Sequence, residues 1–366
     1  MNLHDEDATN AFASRIVVLQ TRWYASQNSN INNSEPYLAR TYINMPIASS
    51  KSQTLSFYLL DTPICVYKMT IPEQYKKSYK PPFQEQPSAP GLQRKLDPQP
   101  LDDITADGRP YRPAGKLEGR SALITGADSG IGRSIALLFA LEGANITIHG
   151  TNKEQHELND IEQEILKRTS KVKVHKLIYD LRQEENCILM VQEHMNVFGK
   201  LDALVLNHGT QNANTDLPTL SSKQWHDTFD TNIHSFFYIV KAVIPIMEPG
   251  STVTFNASIN FAVGHPELID YTSTKGAMIG FMRALSNQIV GEKGIRCNAV
   301  APGPIWTPLI PATMTKESIE TFGTSVPVGR AGQPIEVATT FVYLTSADSS
   351  YISGQVIHVN GGVVIN

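Results

Sequence analysis

Three side chains in this 366-residue chain have types and spacing suited to moving a proton on and off an oxygen. Tyr271 and Lys275 stand four residues apart, and so share one face if the segment is helical. Ser258 lies thirteen residues before the tyrosine, just after an apolar, strand-like run. A free phenol ionises near pH 10, which leaves little oxyanion at neutrality. A neighbouring ammonium favours that anion and lowers the pKa, at about 1.4 kcal/mol per unit. A tyrosine so placed can act as general acid or base on a substrate oxygen while hydride moves at the adjacent carbon. The serine hydroxyl can hold the same oxygen. An ordinary solvated helix face also carries Tyr-x-x-x-Lys, so the reading depends on the rest of the chain.

The stretch that decides it is Leu123-Ile124-Thr125-Gly126-Ala127-Asp128-Ser129-Gly130-Ile131-Gly132-Arg133. An apolar run breaks into three spaced glycines, then resumes with helical periodicity at Ile135, Leu138 and Leu141. That is a strand, a tight turn and a helix. Glycines there open backbone conformations closed to other residues and allow an approach that no Cβ obstructs. The unpaired N–H groups and the dipole of the following helix then make a seat for a pyrophosphate. The turn reads as a dinucleotide pocket; taken alone, it could also be a glycine-rich loop without a ligand.

Positioning these groups falls to an alternation of segments from about Leu117 onward. Strand-like runs occur at Ala122–Thr125, Ile146–His149, Val172–Ile178, Ala203–Leu206, Thr252–Asn256, Arg296–Val300 and Val356–Val359. Helical patterns lie between them at Gly132–Glu142, Lys153–Thr169, Gln183–Val197, Ser222–Met247, Tyr271–Val290 and Pro334–Leu344. Short, mostly continuous apolar strands alternating with helices predict an α/β, Rossmann-like fold. It is a doubly wound parallel sheet of seven strands with helices on both faces and the site at the strands' carboxyl ends. Residues 117–366 are read as this catalytic domain.

Residues 81–116 are read as a proline-rich extended arm, since eight prolines fall between Pro81 and Pro113. It is either a plain linker or a strap across the domain or a neighbouring subunit, anchored by Phe83, Leu92 and Tyr111. Residues 1–80 lack a sustained period and are read as a disordered or poorly packed tail. Arg15 and Arg22 among apolar residues suggest an organelle presequence, which Asp5, Glu6 and Asp7 oppose. A net charge of -4 argues against a nucleic-acid partner. The most apolar stretch, Leu55–Val66, is interrupted by Asp61 and Pro63, so no membrane span is expected. Cys65, Cys187 and Cys297 are odd in number and lack metal-type pairing. No metal site and a reducing, cytoplasmic compartment are therefore expected.

Taken together, these motifs resemble the short-chain dehydrogenase/reductase family. The resemblance rests on Thr125-Gly126-x-x-x-Gly130-x-Gly132, Asn207-x-Gly209, Asn232, Ser258, Tyr271-x-x-x-Lys275, Asn298 and Pro302-Gly303-x-x-x-Thr307, in family order and spacing. Members similar to glucose/ribitol dehydrogenases and NADPH-dependent aldehyde reductases share the arm running into Tyr111–Leu117 and the segment Ala301–Pro311. The resemblance implies an oxidoreductase that interconverts an aldehyde, ketone or sugar carbonyl with an alcohol. Tyr271 would be the general acid/base, and Lys275 would bind the nicotinamide ribose and lower the phenol's pKa. Ser258 would orient the carbonyl, and Asn232 would hold a water linking Lys275 to solvent. Gly126, Asp128, Ser129, Gly130, Ile131 and Gly132 would cradle the dinucleotide, with Asn207 and Gly209 beside them. Asp180 and Leu181 would meet the adenine, Ile305 and Thr307 the nicotinamide carboxamide, and Pro302 and Gly303 complete the set.

Two departures bear on the cofactor. The family's Asn-Asn-Ala-Gly reads Leu206-Asn207-His208-Gly209 here, and His208 is read as a satisfied core histidine rather than a pocket residue. No acid closes the second strand at His149-Gly150-Thr151-Asn152-Lys153, where NAD-preferring members place one for the ribose hydroxyls. Thr151, Asn152 and Lys153, with Arg133, would receive a 2′-phosphate, so NADP(H) is expected ahead of NAD(H). Gly276, Gly280 and Ala284 form a small stripe that permits close approach within the domain or across a dimer. The resemblance implies a homotetramer, or else a homodimer. The segment Ile305–Val326 has the look of a lid, with His265, Glu267 and Trp306 setting substrate choice.

Overall fold

The computed structural model describes residues 70–365 except 88 and 90, and before them the backbone of four short strands. The chain divides into two units, Met1–Met69 and Thr70–Asn366. In the first, β1 (Tyr37–Ala39) pairs antiparallel with β4 (Ile64–Val66), and β2 (Tyr42–Ile43) with β3 (Tyr58–Leu59). The expected presequence and residues 1–69 of the expected tail otherwise lie outside the described residues, but residues 70–80, read as part of that tail, are packed: Tyr75 is buried and its hydroxyl donates to Ile104 O at 2.6 Å.

In the second unit, β5 (Ser121–Ile124), β6 (Asn145–Gly150), β7 (Val174–Ile178), β8 (Ala203–Leu206), β9 (Thr252–Asn256), β10 (Arg296–Pro302) and β11 (Val356–Val359) form one sheet. Its order is β11-β10-β9-β8-β5-β6-β7, and every pairing is parallel. The doubly wound architecture expected from the alternation is present. Strands β5, β8, β9 and β10 are buried at every residue, which is why they read as continuous apolar runs rather than alternating ones.

The helices are α1 (Gly130–Leu141), α2 (Gln155–Arg168), α3 (Glu184–Phe198), α4 (Ser222–Phe229), α5 (Ser235–Val243), α6 (Asn260–Val263), α7 (Ile269–Lys293), α8 (Leu309–Thr313), α9 (Lys316–Glu320) and α10 (Pro334–Thr345). Apolar residues of α1, α2 and α10 form the core on one face of the sheet; those of α3, α5 and α7 form it on the other. After β5 the chain winds out to β6 and β7, then returns to β8 on β5's other side. The loops after β5 and β8 therefore part, and the crevice between them opens at the strands' carboxyl ends.

The helix expected over Ser222–Met247 is not continuous. A π turn at Asp230–His234 separates α4 from α5, and α5 stops ahead of Pro245, which has no N–H to donate.

The proline-rich arm lies against its own domain. Leu96 is 3% exposed and packs with Trp306, Ile310, Ile319 and Ala331. The Trp306 indole N–H donates to Pro98 O at 3.1 Å, and Leu101 N–H to Gln333 Oε1 at 3.0 Å. The anchors are mostly not those expected. Phe83 is 43% exposed and Leu92 half-buried, while the Tyr111 hydroxyl does donate to Glu142. A segment with so few N–H groups of its own is held by side-chain bonds and one buried leucine.

Candidate active site

The turn after β5 leaves no room for side chains. Gly126 has φ +61°, and a Cβ there would lie 2.8 Å from the His208 backbone. A Cβ on Gly132 would lie 1.9 Å from Gly126 O. Above the turn opens a cavity of about 740 Å³ lined by Gly126, Asp128, Ser129, Ile131, Thr151, Asp180, Leu181, Asn207, Gly209 and Thr307. Gly130 and Gly132 do not line it; a Cβ on Gly130 would meet Thr307 at 2.9 Å, so both serve close packing of the turn.

A second cavity of about 480 Å³ holds Ser258, Tyr271 and Lys275, together with Pro302, Gly303 and Ile305. Both cavities are lined by Ile131, Asn207, Gly209, Asn256, Thr307 and Leu309, which makes them two halves of one cleft. A polar chain joins them. The Lys275 ammonium donates to Asn256 O at 2.8 Å, Asn256 Nδ2 to Asn207 Oδ1 at 2.7 Å, and Asn207 Nδ2 to Gly126 O at 2.8 Å. These bonds run between strand ends, tying the helix that carries Tyr271 to the glycine turn.

Burial dominates the electrostatics of the two titrating groups. It pushes the Tyr271 phenol up to about 12, opposed by its hydrogen bond with Ser258, and pushes the Lys275 ammonium down to about 7. The expected acidification of the phenol by the ammonium is thus overridden in this structure, because neither charge is well solvated.

Asn232 sits in the π turn and is fully buried. Its Nδ2 donates to Thr210 O at 2.8 Å and Thr274 Oγ1 at 3.1 Å, while its Oδ1 accepts from Thr210 N–H at 2.8 Å. Both donors are used, leaving one lone pair on Oδ1 for a further partner. The residue braces the β8 loop against α7. Asp180 stands at the exposed rim, hydrogen-bonded by the Arg182 guanidinium, which holds its carboxyl below the usual range.

Several expectations are corrected at the far end of the first half. Arg133 does not face the cavity; its Nε donates to Asp102 at 2.9 Å on the arm. Thr151 spends its groups locally, with its N–H donating to Glu154 Oε2 at 2.8 Å in a capping box. That box carries a buried carboxylate to the end of β6, where none was expected, and Asp128 lines the same wall. Burial and the neighbouring Glu154 raise the Asp128 carboxyl well above the usual range. The Thr-x-x-Glu spacing is the signal that would have found Glu154.

His208 is both satisfied and part of the wall. Its Nδ1 lies 2.8 Å from Thr125 Oγ1 and its Nε2 2.9 Å from Ser235 Oγ, while the ring borders the first cavity. Burial drives its pKa well down, which keeps the imidazole neutral. Among the proposed specificity residues, His265 lines the second cavity. Trp306 is fully buried with Leu96, and Glu267 instead accepts from Ser318 Oγ at 2.9 Å and so tethers α9.

The residues present fit a nicotinamide dinucleotide. The glycine turn packs too tightly for any Cβ and sets the cavity at the carboxyl end of β5 and the start of α1. Among the described residues, no His, Cys, Asp or Glu group could hold a metal ion.

Comparison with known proteins agrees with this geometry. The family described as enoyl-(acyl carrier protein) reductase matches residues 126–364. The glucose and ribitol dehydrogenase of Daucus carota is 43% identical over 290 residues, covering 78% of this chain and 97% of its own. An NADPH-dependent aldehyde reductase of Arabidopsis thaliana, described as chloroplastic, is 41% identical over 290 residues, covering 77% and 98%. The crystal structure of a Brucella melitensis short-chain dehydrogenase/reductase, described as a glucose/ribitol dehydrogenase, superposes with a TM-score of 0.61 at 31% identity, covering 69% and 99%. On these matches, the chain belongs to the short-chain dehydrogenase/reductase family of NAD(P)(H)-binding oxidoreductases.

Proposed function

We propose that this protein interconverts an uncharged carbonyl compound and its alcohol, with Tyr271 as the group that gives and takes the proton. The observation that carries the reading is the meeting of Ser258, Tyr271 and Lys275 in one wall of a cleft whose other half is the glycine cradle. Ser258 holds the substrate oxygen against the phenol. With its pKa near 12, the phenol keeps its proton at neutral pH, which is the form that donates to a carbonyl oxygen. Lys275, kept near Tyr271 by the Asn256 carbonyl, binds the nicotinamide ribose. Asn232 braces this wall and offers its remaining lone pair to a water between Lys275 and solvent. The bound dinucleotide supplies the hydride.

Among the described residues of the substrate half, none is a carboxylate or a guanidinium. That wall suits a neutral aldehyde, ketone or sugar rather than a charged acid or phosphate. The dinucleotide rests on Gly126, Asp128, Ser129, Ile131, Thr151, Asp180, Leu181, Asn207, Gly209, Thr307, Pro302, Gly303 and Ile305, with Gly130 and Gly132 shaping the turn. NADP(H) is preferred, with exposed Lys153 at the mouth as the partner for a 2′-phosphate. The name of the Arabidopsis relative points the same way. The buried Glu154 and Asp128 favour a second reading in which NAD(H) is used, and steady-state rates with the two cofactors separate them. A homotetramer or homodimer is proposed from α7, where nothing lies within 4 Å of a Cβ built on Gly276 or Gly280. Free, buried Cys187 and Cys297 suit a reducing cytoplasm. No described helix is long and apolar enough to cross a membrane.

The test is Tyr271→Phe. Carbonyl reduction should fall about 10²- to 10⁴-fold, while dinucleotide binding, read by fluorescence titration, stays within about twofold. Unchanged turnover would remove the assignment.

A further inference from the structure

The arm contributes a side chain to the dinucleotide turn. Gln93 is 5% exposed, and its Oε1 accepts from the Gly130 N–H at 3.0 Å, at the first residue of α1. The turn's own capping residue does not do this. Ser129 makes no side-chain cap bond. The helix start that faces the cleft is thus capped from 37 residues upstream, by a segment outside the Rossmann core.

Gln93 is itself held from both sides. Gln86 closes the preceding loop by accepting from Leu92 N–H at 2.7 Å, and Ala89 within that loop lines the dinucleotide half. Gln86 N–H donates to Pro311 O at 2.9 Å, and a Cβ on Gly91 would lie 2.3 Å from Pro308 O. On the other side Arg94 pairs with Glu157 of α2. One strap therefore touches the glycine turn, the lid and α2.

We infer that Gln93 is a positioning residue for dinucleotide binding, an inference that rests on the dinucleotide reading of the cleft. Its amide oxygen fixes the turn by satisfying the Gly130 N–H without placing a charge beside the pyrophosphate. The chemical choice matters. A carboxylate at this position would cap the helix at least as well, since the dipole favours an anion there, yet would repel the ligand's phosphates.

Two variants of the full chain separate positioning from simple support. Gln93→Ala should weaken NADPH and NADH binding about tenfold by fluorescence titration, with kcat at saturating dinucleotide within about twofold. Gln93→Glu keeps the acceptor and should melt no lower than Gln93→Ala without dinucleotide, yet bind both cofactors more weakly than Gln93→Ala does, with added salt recovering part of the loss. Wild-type affinity in Gln93→Glu would overturn the inference, as would parallel losses of melting temperature and affinity in both variants. If the wild-type chain binds neither NADPH nor NADH, the dinucleotide reading fails and the inference falls with it. If it binds them and all three proteins bind alike, only the inference falls.

Discussion

The dinucleotide half of the cleft is built around a glycine turn packed backbone against backbone; the substrate half is lined by side chains brought from separate loops. A Cβ on Gly132 would overlap Gly126 O, and Asn207 and Asn256 pin the same turn to the neighbouring strand ends. The opposite half is closed by residues 305–326 and the short helices α8 and α9, held from outside by Leu96, Pro98 and Glu267. One half is rigid because its atoms have no alternative positions. The other is adjustable, because its contacts come from loops and two single-turn helices. Cofactor identity should therefore be hard to shift in the first half except at its rim, and substrate range easy to shift in the second.

The largest effect expected within this comparison comes from the rigid half. Gly132→Ala should cost about 3 kcal/mol or more of stability and abolish dinucleotide binding, since the clash is with backbone and nothing flexible can yield. Gly209→Ala, whose Cβ would meet the Asn232 side chain at 3.3 Å, should bind dinucleotide within about tenfold of wild type. Denaturant unfolding and NADPH titration on both variants check the contrast.

Next in size is the junction of the halves. Lys275 has a folded pKa of about 7, below its usual 10.5. From about pH 7 to 8.5 the unfolded chain holds the extra proton, so unfolding free energy should rise with pH, by about 2 kcal/mol at most, before the Cys187 and Cys297 thiols, which burial pushes up, pull the other way. Lys275→Met removes the titrating group and should flatten the profile. A wild-type profile already flat there would show that the ammonium is not desolvated.

The smallest effect belongs to the rim of the rigid half. Lys153→Ala should raise the Kd for NADPH about tenfold and leave that for NADH unchanged, because only the former carries the 2′-phosphate. Equal losses for the two would instead favour the reading in which Glu154 and Asp128 face free ribose hydroxyls.

The contrast also explains what could be read from residues alone. Strands β5, β8, β9 and β10 and the glycine turn were legible because burial on both faces writes itself as short apolar runs, and close approach writes itself as glycine. The π turn at Asp230–His234 was not, since the segments on either side of it both read as helix. Glu154 was legible as a capping partner of Thr151 but lay beyond the strand end where an acid was sought. Arg133 looked free for a phosphate because its partner, Asp102, lies on the arm. Gln93 carried no signal, being a neutral residue in a proline-rich stretch whose role exists only through a fold contact. At Tyr271 the spacing revealed the ammonium four residues on but not that Lys275 is buried, 3% exposed.

The account stands or falls on transfer of hydride between a nicotinamide ring and the carbon beside the oxygen that Tyr271 serves. NADPH carrying deuterium at the transferable ring position should be incubated with the wild-type chain and an aldehyde panel, and the alcohols examined by mass spectrometry. The account predicts one deuterium on the former carbonyl carbon, and labelled product at least about 10²-fold slower to form with Tyr271→Phe. Alcohol formed without label, or no alcohol from any aldehyde although NADPH binds, would contradict it.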